Sequence, residues 1–130
     1  MISLGENLAK SLSAPATVEL VGDVGVGKTT LAKGIASGLG IKDDITSPSF
    51  TIHKQYAGSD YILSHYDFYR LDDPGILANE ISENALDAKT IILIEWASSV
   101  RNVLPEDRVR IMINYSSDNS RGVAIEGLKK

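Results

Sequence analysis

Cysteine is absent from the 130 residues. That excludes a disulfide framework and any thiolate-held metal centre. Histidine occurs only twice, and no His/Cys/Asp cluster takes a zinc-binding spacing. No Gly-x-Ser-x-Gly nucleophile elbow is present either. Basic surplus is also missing: 13 Lys and Arg stand against 17 Asp and Glu, a net charge of −4. An acidic chain offers no general surface for a phosphate backbone or an anionic membrane, so contact with RNA has to be local or made through a partner. No apolar run approaches the roughly 20 residues needed to span a bilayer. The opening Met1-Ile2-Ser3-Leu4-Gly5-Glu6 lacks the basic and apolar regions of a signal peptide. The expectation is a soluble, cytoplasmic protein with one domain over residues 1–130.

What is present centres on Gly22-Asp23-Val24-Gly25-Val26-Gly27-Lys28-Thr29, a match to G-x-x-x-x-G-K-[ST] at every fixed position. Residues 16–21 before it read as a short buried strand. Residues 30–39 after it read as a helix with Gly40 as its stop. Strand, glycine loop and helix are the context this motif requires. Glycines let the backbone curl so that successive N–H groups face an oxyanion. The helix N-terminus adds unpaired donors and partial positive charge. Lys28 can reach β- and γ-phosphates, and the Thr29 hydroxyl can ligate Mg²⁺.

The remaining chain supports an α/β fold, a P-loop NTPase-like three-layer arrangement with a mixed central β-sheet flanked by helices. Ser3 and Glu6 have capping-box spacing, and Leu4, Leu8 and Leu12 recur at helical spacing, which predicts a helix over 3–13. Residues 50–56 and 61–67 read as a β-hairpin. Pro74 is placed to open a short helix near 75–81. Thr90-Ile91-Ile92-Leu93-Ile94 is an unbroken apolar run, typical of a strand buried on both faces. Residues 108–115 alternate polar and apolar, and 122–127 read as a last strand.

A P-loop needs a carboxylate at the end of a neighbouring strand to hold Mg²⁺ directly or through water. Glu95 ends the apolar run, where open α/β sheets bind ligands. Asp67 ends the second hairpin arm and can ligate Mg²⁺ through water or position the attacking water. Trp96 is either core packing or a lid beside the site. His65 reads as a packing residue rather than a catalyst, and Arg70 as a partner of a surface acid or of phosphate. Ser47, Ser49 and Thr51 surround Pro48 in a stretch that cannot be an interior strand. It reads as a plain loop or as a loop ordered by a γ-phosphate.

Taken together, Gly-Asp-x-Gly-x-Gly-Lys-Thr-Thr (22–30), Ser-Pro-Ser-Phe-Thr (47–51), His-Tyr-Asp-Phe-Tyr-Arg-Leu (65–71), Asp-Pro (73–74) and Leu-Ile-Glu-Trp (93–96) resemble the bacterial TsaE family in order and spacing. The resemblance covers nearly the whole chain. It implies a small ATPase of tRNA threonylcarbamoyladenosine (t⁶A) biosynthesis, acting as a nucleotide switch for the TsaB and TsaD proteins, which modify adenosine 37 of tRNA. It implies ATP or ADP on residues 22–30, Thr30 included, and Mg²⁺ on Thr29 and Glu95. It gives Lys28, Asp67 and Glu95 the catalytic roles and makes residues 47–51 a switch-like segment. It also brings Arg121 toward the nucleotide. Two other readings stay open: a small P-loop kinase and a non-catalytic, nucleotide-gated interaction module. ATP turnover without an acceptor separates the first from both.

Overall fold

The computed structural model describes residues 2–22, 27–43, 45–46, 52–58, 60–69, 73, 75–115 and 121–127. Six strands form one sheet in the order β2-β3-β4-β1-β5-β6. They are β1 (Ala16–Val21), β2 (His53–Ala57), β3 (Ile62–Asp67), β4 (Thr90–Glu95), β5 (Val109–Tyr115) and β6 (Arg121–Glu126). The four inner strands β3, β4, β1 and β5 run parallel, and each edge strand pairs antiparallel. The apolar run at 90–94 becomes β4, buried at every residue, as expected of a strand covered on both faces. β2 and β3 form the expected hairpin.

Strand alternation sorts the core into two layers. Val18, Leu20, Leu63, Ile91, Leu93, Ile111 and Ile113 face α1 (Ile2–Ala9) and α2 (Lys28–Gly38). Tyr66, Ile92 and Ile94 face the other way, against Ile81 of α3 (Ile76–Asn84), Val100 and Leu104. Two 3₁₀ turns, Ala97–Ser99 and Arg101–Val103, follow β4 on that second side. The three-layer α/β/α reading therefore holds. α1 is shorter than the leucine spacing predicts. Ser3 lies inside it rather than at its cap, and Glu6 accepts a hydrogen bond from Ser37 Oγ at 3.2 Å. α3 runs beyond the predicted residue 81 to Asn84.

Gly5 on α1 and Gly34 on α2 explain themselves by close approach. A Cβ on Gly5 would lie 2.6 Å from Leu31 O and 2.7 Å from Ile35 N. A mid-helix glycine costs about 1 kcal/mol against alanine, and here the bare backbones let α1 lie directly on α2. No helix among the described residues is long and apolar enough to cross a membrane.

Candidate functional site

The parallel strands end at one edge of the sheet, and the motif residues gather there. β1 leads into Gly22, and α2 starts at Lys28 after Gly27, whose φ of 111° suits glycine. Lys28 is buried, 6% exposed. Its Nζ donates to Gly22 O at 2.6 Å and lies 3.9 Å from Glu95 Oε1. The same ammonium sits 3.9 Å from the centroid of the Trp96 ring, a cation–π distance. Trp96 reaches this place because its backbone turns left-handed at the end of β4, with φ 56° and ψ 53°. That conformation is uncommon for a large side chain. Tyr69 packs against the same indole, with centroids 4.8 Å apart.

Asp67 and Glu95 are in-register neighbours at the ends of β3 and β4. Both belong to the α2 side of the sheet, the side of Leu63 and Leu93, and both are buried, at 6% and 3% exposure. Asp67 Oδ1 accepts from the backbone N–H of Tyr69 at 3.0 Å, and the Asp67 N–H donates to Ile52 O at 2.8 Å. Ile52 itself has φ 68°, strained for a β-branched residue. Glu95 Oε2 lies 2.8 Å from Nε2 of His65, a residue with no exposed surface.

Lys28, Glu95, Asp67, Trp96, Gly22 and Gly27 thus converge. Thr29 and Thr30 sit in the first turn of α2, Thr29 partly buried and Thr30 exposed. Arg121 begins β6 opposite Tyr115, on the same edge of the sheet but two strands from β1. Asp23, Val24, Gly25, Val26, Ser47, Ser49, Thr51 and Arg70 lie outside the described residues. His65 is fully buried, as a packing residue would be, and its ring also meets Glu95. A signal was available: His65 is two residues before Asp67, so a strand puts both on one face.

A second group sits on the opposite face, below a cleft of about 410 Å³ that Gly22, Trp96 and Arg101 help to line. Glu19, on β1, has no exposed surface. Its carboxylate accepts from Arg108 Nε at 2.8 Å and from Arg101 Nη2 at 3.0 Å, and Arg110 Nε lies 3.5 Å away. Burial pushes the Glu19 carboxyl up, but hydrogen bonds from Arg108 and Arg101, and their charges, outweigh it and hold the group below its usual range. The polar face of β5 is therefore partly covered rather than wet.

Under α3, Tyr66 donates to Glu80 Oε1 at 2.9 Å and accepts from Asn84 at 3.0 Å. Burial, then Glu80, pushes its phenol up. His53 stacks on Tyr66 with centroids 4.1 Å apart, and its Nδ1 lies 3.0 Å from Glu80 Oε1.

Known proteins agree with this architecture. A relative from Bacillus subtilis, "tRNA threonylcarbamoyladenosine biosynthesis protein TsaE", is 39% identical over 80% of this chain, and the match spans just under two thirds, 65%, of that relative. A protein of the same description from Streptomyces coelicolor is 37% identical over 98% of this chain and 90% of its own length. The crystal structure of Bacillus subtilis YdiB superposes with a TM-score of 0.77 at 30% identity, covering 99% of this chain and 82% of that one. The family described as "Threonylcarbamoyl adenosine biosynthesis protein TsaE" matches residues 1–123. With this match, the chain belongs to the TsaE family.

Proposed function

We propose that this chain binds and hydrolyses ATP with Mg²⁺, and that it acts as a nucleotide switch for a TsaB–TsaD complex making t⁶A at adenosine 37 of tRNA. The observation that carries the reading is the convergence of Lys28, Glu95 and Trp96 at the end of β1, where the glycine motif begins. Family membership supports the pathway. The partner identity rests on the resemblance stated above.

The donor set suits Mg²⁺. It offers hard oxygens alone: the Thr29 hydroxyl on α2 and the carboxylates of Glu95 and Asp67. Among the described residues no group of three His, Cys, Asp or Glu forms a cage. Mg²⁺ bound through one or two carboxylates, water and substrate phosphate needs none. Bound there, the ion would supply positive charge against the negative charge that develops on the phosphate.

The chain's own residues do the rest. Lys28 exchanges its bond to the Gly22 carbonyl for phosphate oxygens, a charge-assisted contact that is stronger than the one it leaves. The N–H groups at the start of α2 bind phosphate from the side. Glu95 and Thr29 would hold the ion, and Asp67, fixed at Oδ1 by the Tyr69 N–H, would orient the attacking water with its carboxylate. Trp96 covers the ammonium of Lys28 and reports on its position. No arginine of the described residues is assigned to the transition state. Arg101 and Arg108 are engaged by Glu19. Hydrolysis is accordingly slow in the isolated chain and changes when the partner complex binds.

The test is t⁶A formation by purified TsaB–TsaD over several turnovers, with the wild-type chain and with Lys28→Ala. The expected result is repeated turnover with the wild type and arrest with the variant, while circular dichroism stays unchanged. ATP hydrolysis that is fast alone, indifferent to the complex and independent of Lys28 would refute the proposal.

A further inference from the structure

Glu95 makes a single side-chain hydrogen bond among the described residues, and the partner is not the lysine. It is His65 Nε2, 2.8 Å from Oε2, at a site closed to solvent on both sides. Lys28 lies 3.9 Å from the other oxygen, Oε1, beyond hydrogen-bond range. His65 sits on β3 and Glu95 on the adjacent β4, two positions apart in register and on the same face. The contact is therefore set by strands in the middle of the sheet, not by a loop.

The partner of each ring nitrogen points to one tautomer. Glu95 as a carboxylate presents only acceptors, so a ring nitrogen at 2.8 Å must carry the proton. The other ring nitrogen, Nδ1, is buried and has no hydrogen-bond partner among the described residues. A neutral ring protonated at Nε2 leaves a bare acceptor there. A ring protonated at Nδ1 would strand a donor and set two lone pairs against each other.

We infer that His65 is a positioning residue, which clamps Oε2 of Glu95 so that Oε1 stays turned toward the site of the Lys28 ammonium. This rests on the proposed Mg²⁺–nucleotide site and assigns it a supporting residue. The clamp matters most at the moment when Lys28 leaves for phosphate. Glu95 then loses its neighbouring cation, and His65 remains its one short side-chain contact among the described residues. A carboxylate with no anchor would then sample other rotamers. Supporting hydrogen bonds of this kind typically change metal affinity by about 10–100-fold when removed.

Two measurements test it. The first is done on the nucleotide-free protein. With only two histidines in the chain, long-range ¹H–¹⁵N NMR assigns both rings directly. His65 is expected as the Nε2–H tautomer with a pyridine-like Nδ1, and Nδ1–H would overturn the inference. The second compares His65→Leu, which removes the donor, with His65→Gln, whose amide can place N–H near the position of Nε2. The probe is Trp96 fluorescence on adding Mg²⁺ to the chain with ATP. His65→Leu is expected to raise the Mg²⁺ midpoint by about 10-fold or more, with ATP affinity in EDTA within about twofold of wild type. His65→Gln is expected to recover most of the midpoint. Thermal unfolding of both variants reports on folding separately. A purely structural histidine would lower the melting temperature without moving the midpoint, and that pattern overturns the inference alone. A wild-type chain that shows no Mg²⁺-dependent nucleotide binding overturns the parent reading together with it.

Discussion

Replacing Glu19 by Gln keeps the shape of the side chain and removes its charge. Three guanidinium groups then lose their common partner. Breaking a buried ion pair costs about 3–5 kcal/mol when the remaining charge has nowhere to go. Here the arginines are not equally trapped. The Arg108 side chain is 16% exposed, Arg110 33% and Arg101 48%. The last two can regain water, so the expected loss is about 2–4 kcal/mol. For a chain of this length each kcal/mol shifts the melting temperature by roughly 3–5 °C. Glu19→Gln should therefore melt about 6–20 °C below wild type at pH 7 by far-ultraviolet circular dichroism. Arg101→Ala should lose no more than about 1 kcal/mol, as half-exposed pairs do. The pH dependence carries the same sign. The folded-state carboxyl of Glu19 lies below its usual value. Its stabilisation is present above the ordinary glutamate range and is lost as pH falls through the lowered folded value. The gap between wild type and Glu19→Gln should stay constant from pH 7 to about 5 and close in stronger acid. Equal melting temperatures at pH 7, or a gap that widens in acid, would refute the reasoning.

Three further outcomes are expected. Glu95→Gln should raise the Mg²⁺ concentration required for ATP hydrolysis, whereas Asp67→Asn should lower turnover with less effect on nucleotide binding; the reverse pattern in steady-state kinetics would exchange their roles. Gly5→Ala should destabilise by about 1–3 kcal/mol despite its better helix propensity, because the new methyl meets the backbone of α2 at Leu31 and Ile35; equal or higher stability in urea unfolding would contradict that packing. His53 should titrate below 6.5 by NMR, because burial and then the nearby His65 outweigh the Glu80 carboxylate; the neutral ring's stabilisation is then present above about 6.5 and lost as pH falls through the lowered folded value.

The strands and their approximate ends could be read because their signals are local. The apolar run at 90–94, the hairpin arms and the strand before the glycines all appear where their periodicity puts them. α1 departs from the leucine spacing at both ends. Leucine spacing continues to Leu12, but the helix stops at Ala9, and Leu12 is buried beyond it. Hydrophobic spacing records burial and not backbone conformation. Lys28, Asp67, Glu95 and Trp96 can be nominated from sequence because a phosphate or Mg²⁺ role demands particular residue types after a glycine loop or at a strand end, and the fold brings the four to one edge of the sheet. For His65, the two-residue spacing from Asp67 puts the ring on the same face of the strand, but no sequence signature tells ligand and packing apart. The arginine cluster was missed for a related reason. Glu19 inside a buried strand required partners, but those partners lie more than 80 residues away in the chain, on the turns after β4 and at the start of β5. Only the sheet order, with β1 between β4 and β5, brings them together.

The claim that Lys28, Glu95 and Trp96 frame a nucleotide-phosphate site is tested most directly by one equilibrium titration. ATP with Mg²⁺ is added to the isolated chain while the fluorescence of Trp96, its single tryptophan, is recorded. Phosphate should draw Lys28 off the indole and off the Gly22 carbonyl, so the emission should change saturably. The same titration of Lys28→Ala, folded by circular dichroism, should show a loss of affinity of at least about tenfold, the effect of roughly 1.4 kcal/mol. A wild-type chain with no saturable change and no bound ATP by a parallel labelled-nucleotide assay, or a Lys28→Ala chain that binds ATP as the wild type does, would contradict the assignment.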